Sequence, residues 1–279
     1  MSKYLGRFAP SPTGALHQGS LVAALASFLD ARHHGGSWSL RFDDIDPPRQ
    51  VAGSVESISD ALLRHGLASD GPSQFQSQHS DRYIDALDCL RDQSVTFVCR
   101  CTRATLGSDG ACIADCESQN YTEGSTRLKS PQGVLPDFVD ICSEQITSPA
   151  PYPANFVLRR RDGLFAYQLA TAIDDVLDGF THVVRGGDLQ DSTHRQLYIQ
   201  RLLALESPQY GHIMIVKDRD GIKLSKQTGA ETISNTDPAA NIRSALGLLN
   251  QQPPPNNCET VSDLLTWAIT HWNRASAKL

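Results

Sequence analysis

The opening forty residues restrict the fold more than any other stretch of the chain. Tyr4 to Phe8 is a short strand-like run, and APSPTGALHQG follows it with two prolines and two glycines. Ser20 to Arg32 is then apolar with helical periodicity, and Trp38 to Phe42 reads as a second strand. Strand, loop, helix and strand in that order make a βαβ unit, with parallel strands and a right-handed crossover. Open parallel sheets bind ligands in the crevice at the carboxyl ends of their strands, so the loop after Phe8 is the first place to look for a site.

The pattern continues as α/β. Two helices are expected at Val51 to His65 and Asp81 to Asp92, and further elements at Asn155 to Arg160, Tyr167 to Asp178 and His182 to Arg185. A helix near Ser192 to Leu205 and a strand at His212 to Val216 follow. Two terminal helices, about Pro238 to Leu249 and Thr260 to Trp272, are split by QQPPPNN. No internal repeat interrupts this order. With 279 residues and 40% hydrophobic content the chain can bury one substantial core. No run approaches the ~20 apolar residues of a membrane span, so a soluble cytoplasmic protein is expected. The net charge of -6 argues against nucleic-acid binding through the overall field, and an RNA partner needs motif evidence.

Two constellations carry chemistry. The first is Arg7, Pro10, Ser11, Gly14, His17 and Gly19 on a strand-to-helix transition. Unpaired N–H groups at a helix start attract phosphate, glycines admit a ligand close to the backbone, and a histidine can donate to developing charge. A solvated Pro/Gly loop has the same ingredients. The second is Lys223-Leu224-Ser225-Lys226-Gln227, after the strand-like GHIMIV. Two ammonium groups around a serine suit a clamp on pyrophosphate, although alone such a loop is equally a solvated surface.

Taken together and in this order, RFAPSPTGALHQGS and KLSKQ resemble the paired signatures of class I aminoacyl-tRNA synthetases. RFAPSPTG is similar to the hallmark of the glutamyl/glutaminyl branch, and LRFDDIDPPR, FAYQLATAIDDVLDG and THVVRGGDLQDSTHRQ agree with it in order, covering Tyr4 to about Ala230. Ser20 stands where a second histidine often sits, and Gln227 replaces a serine. The resemblance implies a Rossmann-like catalytic domain and His17, Gly19, Lys223, Ser225 and Lys226 as ATP contacts, with His17 and Lys226 catalytic. It implies an L-glutamate pocket of Arg7, Phe8, Ala9, Pro10, Ser11, Asp43, Tyr167 and Arg185. A guanidinium can grip a side-chain carboxylate through paired, charge-assisted hydrogen bonds, a role that suits Arg185. Tyr167 would add a hydroxyl and Asp43 would hold the substrate ammonium. Relatives commonly carry glutamate at the position of Asp43, so its contact is one methylene shorter. Asp44 and Asp46 can share that work or serve as turn residues. Magnesium is expected with ATP, with no dedicated ligand identifiable.

Four of the seven cysteines fall within eighteen residues: Cys99-x-Cys101, ten residues, then Cys112-x-x-x-Cys116. Four thiolates are the number a closed tetrahedral zinc site requires, and a metal would order a polar segment that lacks hydrophobic periodicity. Buried free thiols are the alternative; Cys89, Cys142 and Cys258 look isolated. A short branch of the glutamyl family, the glutamyl-Q tRNA(Asp) synthetases, is similar in having a zinc site here, commonly with tyrosine where this chain has Cys112. A glutamyl-tRNA synthetase continues into an anticodon-reading domain, whereas this chain stops about fifty residues after the lysine loop. The expected division is therefore 1–98 and 126–230 as two halves of the catalytic domain, 99–125 as the zinc segment, and 231–279 as a short helical end without an anticodon-binding domain. Resemblance to that branch implies tRNA-independent formation of glutamyl-adenylate and transfer to the queuosine base of tRNA(Asp). Neither a tRNA-charging enzyme nor a non-catalytic zinc module is excluded by the residues alone. A monomer is the default expectation. Arg159, Arg160 and Arg161 form a basic run, and Arg195 and Arg201 are expected on one helix face; charge runs are usually solvated, and no RNA role is assigned to them.

Overall fold

The computed structural model describes residues 3–108, 110–131, 135–149, 155–215, 233 and 236–279. Its centre is a five-stranded parallel sheet built from β1 (Leu5–Phe8), β2 (Ser37–Phe42), β3 (Gln74–Phe75), β9 (His182–Gly186) and β10 (Gln209–Ile213). The spatial order is β10-β9-β1-β2-β3. Leu5 to Phe8 run beside Ser37 to Leu40, and Gln209 to Ile213 beside His182 to Gly186, all parallel. The chain switches direction between β9 and β2, on either side of β1, which is where an open sheet forms its ligand crevice.

Helix α1 (Gln18–His33) makes the first crossover. Leu21, Val22, Leu25, Ala26, Phe28 and Leu29 are all buried although they spread around the helix. Such a helix must be covered on every side. The sheet covers one side, and α6 (Pro238–Leu248) and α7 (Val261–His271) cover the other. Asp30 of α1 is fully buried and accepts hydrogen bonds from the Tyr4 hydroxyl, Trp272 Nε1 at 2.9 Å and Arg274 Nε at 2.7 Å. The last residues are thereby fastened to the first strand. Between β2 and β3, α2 (Ser54–Arg64) buries Ser54, Ile58, Ala61 and Leu62, the one-faced spacing of a surface helix.

A second core lies under α3 (Ser80–Asp92), α4 (Tyr167–Leu177) and α5 (Gln190–Leu202), where Tyr83, Leu87, Leu90, Ile173 and Ile199 meet. It is closed by an antiparallel sheet of β4 (Thr96–Cys99), β5 (Ser125–Leu128) and β8 (Phe156–Arg159). A hairpin of β6 (Phe138–Asp140) and β7 (Gln145–Thr147) returns to the parallel sheet, with Ile141 N–H donating to Tyr210 O at 2.9 Å. The hairpin can approach because residue 211 is glycine: a Cβ there would lie 2.7 Å from Cys142 Sγ.

Most elements fall within a few residues of the sequence-based expectation. The strand expected at His212 to Val216 is displaced to Gln209–Ile213, because its register is set by the five residues of β9 beside it. Arg195 and Arg201 do not share a face. Six residues turn a helix by ~600°, well off a full number of turns; Arg195 lies over the Phe156 ring while Arg201 is exposed. Among the described residues no helix is long and apolar enough to cross a membrane.

Candidate active site

Three arginines at or near the carboxyl ends of neighbouring strands, Arg7 on β1, Arg41 on β2 and Arg185 on β9, are 4%, 0% and 4% exposed. Burying a guanidinium is tolerable only with matched partners. Helix α4, packed against α5 and α3, provides them. Asp175 accepts from Arg7 Nε at 3.0 Å and Nη2 at 2.8 Å, and from Arg41 Nη1 at 2.8 Å. Burial alone would raise the Asp175 carboxyl, but Arg7 and Arg41, with Arg185 behind them, hold it at about 2. Asp43 accepts from Arg41 Nε at 2.9 Å. Here burial wins, because Arg41 is shared with Asp175, and the Asp43 carboxyl is pushed up to about 6.

Arg185 is held differently. Its Nη1 donates to the Tyr167 hydroxyl at 3.3 Å, and its Nη2 to Thr193 Oγ1 at 2.6 Å and Gln196 Oε1 at 2.8 Å. The guanidinium lies over the Tyr210 ring, 5.1 Å from its centre. All of these partners are neutral, so the positive charge of Arg185 is oriented without a carboxylate in direct contact. Behind it, Thr193 Oγ1 is 2.9 Å from His212 Nε2, and His212 Nδ1 is 2.6 Å from Asp140 Oδ2. A carboxylate accepts, so Nδ1 carries the proton and Nε2 is free to accept from the Thr193 hydroxyl. The hydroxyl oxygen in turn accepts from Arg185. Burial keeps the His212 ring neutral by lowering its pKa, against the pull of Asp140. Asp140 is fixed by the backbone N–H groups of Cys142 at 2.8 Å and His212 at 3.1 Å.

The loop after β1 is pinned to the loop after β2 by Asp43 N–H donating to Pro10 O at 3.0 Å. His17 caps α1: its Nδ1 accepts from Ser20 N–H at 3.2 Å, and its Nε2 lies 3.0 Å from Ser20 Oγ. With Nδ1 accepting, Nε2 bears the hydrogen and donates to the serine. The first turn of α1 contains no acidic side chain; the Ser20 N–H is taken by His17, and the dipole of a long buried helix with the amides ahead of Ser20 remains to attract an anion. Asp44 and Asp46 are turn residues. Asp44 accepts from Ser77 N–H at 2.7 Å, and Asp46 bridges Arg49 and Arg160. Lys223, Ser225 and Lys226 lie outside the described residues.

Cys99, Cys101, Cys112 and Cys116 converge, with all four Sγ atoms within 4.8 Å of one another. Cys101 Sγ is 3.7 Å from Cys112 Sγ and 3.6 Å from Cys116 Sγ. Four sulfurs about 2.3 Å from a tetrahedral ion stand ~3.8 Å apart, so the residues present fit such a metal. Burial pushes Cys99 up to about 12; at Cys112, N–H groups of Cys116 and Ala114 overcome burial and bring the thiol down to about 7.

Comparison with known proteins places these features in a family. The model for the catalytic domain of class I tRNA synthetases (E and Q) matches residues 3–125 and 114–246. A protein named glutamyl-Q tRNA(Asp) synthetase from Pseudomonas aeruginosa is 40% identical over 277 residues, spanning 98% of this chain and 94% of that one. One of the same name from Thiobacillus denitrificans is 41% identical over 96% of this chain and 93% of its own length. The chain belongs to the glutamyl-Q tRNA(Asp) synthetases. It is a class I aminoacyl-tRNA synthetase-like ligase, and the fold agrees. A crystallised glutamate tRNA ligase from Elizabethkingia meningosepticum, bound to its amino acid, is 25% identical with a TM-score of 0.77, covering 99% of this chain and 66% of that ligase.

Within this family frame, Arg7, Asp43, Tyr167 and Arg185, named from sequence, gather at the ends of β1, β2 and β9, with the Phe8 to Ser11 backbone beside them. The sequence reading missed their supports: Asp175, Arg41, Thr193, Gln196, His212 and Asp140. One signal was available. Asp174 and Asp175 close the mostly apolar run FAYQLATAIDD, and both are fully buried.

Proposed function

We propose that the protein activates L-glutamate with ATP and transfers it to the queuosine base at the wobble position of tRNA(Asp). The observation that carries the activation half is the convergence of Arg7, Asp43, Tyr167 and Arg185 beside a helix N-terminus capped by His17. Arg185, charged and held by neutral groups, is suited to a substrate carboxylate, and Asp43 in its ionised form to the ammonium. An α-carboxylate oxygen attacks the α-phosphorus of ATP, and pyrophosphate leaves. The Gln18 and Gly19 amides at the start of α1 stabilise the charge that grows on the phosphate, joined by the His17 N–H as it exchanges Ser20 for a phosphate oxygen, and positioning does the rest. A cyclopentene-diol hydroxyl of queuosine then attacks the activated carbonyl, losing its proton as AMP departs.

Lys223, Ser225 and Lys226 are our candidates for the ATP clamp, with magnesium accompanying the nucleotide. Cys99, Cys101, Cys112 and Cys116 are candidates for structural zinc, which would tie the end of β4 to the turns that follow it. We retain 99–125 as the zinc segment between two catalytic halves at 1–98 and 126–230, with 231–279 as the helical end. A cytoplasmic enzyme follows from a tRNA substrate.

The test offers radiolabelled glutamate to tRNA(Asp) with and without queuosine, each lacking its terminal adenosine, beside intact tRNA(Glu). Label is expected only on the queuosine-containing RNA. Label confined to 3′-intact tRNA(Glu) would establish a charging enzyme instead, and absence of glutamate-dependent pyrophosphate exchange into ATP would remove the activation step itself.

A further inference from the structure

The cysteine segment and the turn after β8 enclose a groove of about 560 Å³, walled in part by Cys99 and Cys101, that the amino-acid and ATP chemistry above does not use. Four of its lining residues are arginines, Arg103, Arg127, Arg160 and Arg161, against one carboxylate, Asp162. In a chain of net charge -6 this is a local reversal of sign. The four are not equivalent. Arg127 is buried, its guanidinium donating to Asn155 Oδ1 at 3.0 Å and to backbone carbonyls of Asn155 and Gly110. Arg160 bridges Asp162 at 2.5 Å and Asp46 at 3.1 Å. Arg103 and Arg161 are exposed, and among the described residues neither side chain makes a hydrogen bond or an ion pair. Leu106 and Val157 give the groove an apolar portion between these charges.

Exposed arginines are usually only solvated. Two features separate these from that default. They are gathered in a concavity instead of being spread over a convex face, where field lines concentrate and counter-charge accumulates. The groove is also fastened to the amino-acid pocket, because Arg160 grips Asp46 and Asp46 lies three residues beyond Asp43, on the loop pinned to Pro10. A polyanion lying in the groove would therefore run beside the mouth of the pocket. A planar guanidinium fork matches the oxygens of a phosphodiester, and apolar side chains between such forks suit the face of a ribose or base.

We infer that this groove binds the phosphate backbone of the acceptor RNA, with Arg103 and Arg161 as its direct phosphate contacts and Arg160 as the link that sets the groove against the amino-acid pocket. The inference rests on the tRNA reading above and adds where that RNA is gripped. Recognition here is through backbone charge and leaves the identity of the modified base to the pocket.

The test compares the full-length protein with Arg103→Ala, Arg161→Ala and the double variant. The first measurement is fluorescence-monitored binding of a queuosine-containing tRNA(Asp) anticodon stem-loop across a range of KCl concentrations. Each neutralised phosphate contributes roughly 0.7–0.9 to the slope of log K against log salt. The double variant is expected to bind ~10–100-fold more weakly, with a slope shallower by about 1.5, while glutamate-dependent pyrophosphate exchange is unchanged. Arg161→Lys, which retains the charge, should recover part of the loss. Equal affinity and equal slope in all variants would overturn the groove. The two readings fail separately: a wild-type protein that binds RNA through these arginines but transfers no glutamate to queuosine would sink the proposed transfer alone. Weaker binding accompanied by an equal loss of pyrophosphate exchange would also count against the groove, since it would report damage to the pocket.

Discussion

The arginine pocket and the cysteine segment solve the same problem by opposite means. Each must hold polar groups in a defined geometry. The pocket does so with a large core: α4, α5 and the parallel sheet bury Arg7, Arg41 and Arg185 and supply Asp175, Thr193 and Gln196 at fixed distances. Among the described residues the segment's own small cluster buries Phe97, Cys99 and Cys116, with Cys101, Leu106, Cys112 and Tyr121 against them. Ion pairing inside a core can be arranged by packing alone, whereas a short polar loop needs something to replace the packing it lacks. A change in the pocket should therefore reach both activity and global stability, and a change in the cysteine segment should stay local.

The largest effect is expected at Asp175. Asp175→Ala leaves Arg7 and Arg41 facing each other in a dry interior, and losing one partner of a buried pair typically costs 3–5 kcal/mol. A fall in melting temperature of about 10 °C is expected by calorimetry, with pyrophosphate exchange lost. A drop of only a degree or two would mean that the pocket is not held together by this carboxylate. Arg185→Ala comes next. The side chain meets neutral groups, so the fold should tolerate its loss better, but a charged hydrogen bond to substrate contributes ~2–3 kcal/mol. Glutamate-dependent exchange should fall about a hundredfold, mainly through KM.

Acid should reveal the third effect. Asp43 is buried and its carboxyl rests at about 6, above its unfolded value. Its contribution to stability is therefore complete at low pH and is lost as pH rises through about 6, up to ~3 kcal/mol in all. Binding of a substrate ammonium needs the opposite, ionised form. KM for glutamate should climb roughly tenfold per unit below pH 6. In Asp43→Asn that dependence should vanish, and the stability of the wild type relative to the variant should decline between pH 4 and 6. Asp175, held at about 2, acts in the other direction: its contribution is present above about 4 and is lost only as pH falls towards 2. An acid profile of exchange that is identical in wild type and Asp43→Asn would remove Asp43 from the amino-acid site.

How much of this was legible beforehand divides along the same line. The βαβ start could be read because its signals, two strand-like runs around an apolar helix, are local. The four cysteines could be read because they lie within eighteen residues. The supports of the pocket could not. Arg7 meets Asp175 across 168 positions, Arg41 meets it across 134, and His212 meets Asp140 across 72. No periodicity encodes such pairings. What sequence can offer is a residue out of place, as with two aspartates on an apolar helix, and that signal names a buried charge without naming its partner. The short strands β4 to β7 escaped for a related reason: they are three or four residues long, and their pairing is settled by their neighbours.

Asp140→Asn sharpens the boundary of the pocket, because Asp140 belongs to the β6–β7 hairpin on the far side of β10 yet acts on Arg185 through His212 and Thr193. Asparagine keeps one oxygen for the His212 Nδ1–H and loses the charge and the second acceptor, a difference of about 1 kcal/mol. KM for glutamate should rise about fivefold while kcat stays within twofold. Asp140→Ala, which frees the imidazole to change tautomer, should cost more in KM. If both variants match the wild type in KM, the chain from Asp140 through His212 and Thr193 does not orient Arg185.

The smallest effect on adenylation is expected from removing the metal. The protein as isolated should contain about one zinc per chain by elemental analysis, and Cys101→Ser or Cys116→Ser should reduce it sharply. Sulfur spacings of 3.6 and 3.7 Å are those of a tetrahedral site, and without an ion only weak thiol contacts would hold the four sulfurs together. Loss of the ion should therefore release the turns around Cys112 and Cys116, visible as faster amide exchange across 99–125. Because this cluster is separate from the two main cores, pyrophosphate exchange should change less than twofold. Transfer to RNA should suffer more, since Cys99, Cys101 and Arg103 line one wall of the basic groove. An equal loss in both reactions would show that the segment and the pocket are a single cooperative unit. Undiminished zinc in both serine variants would show that the four sulfurs are not its ligands.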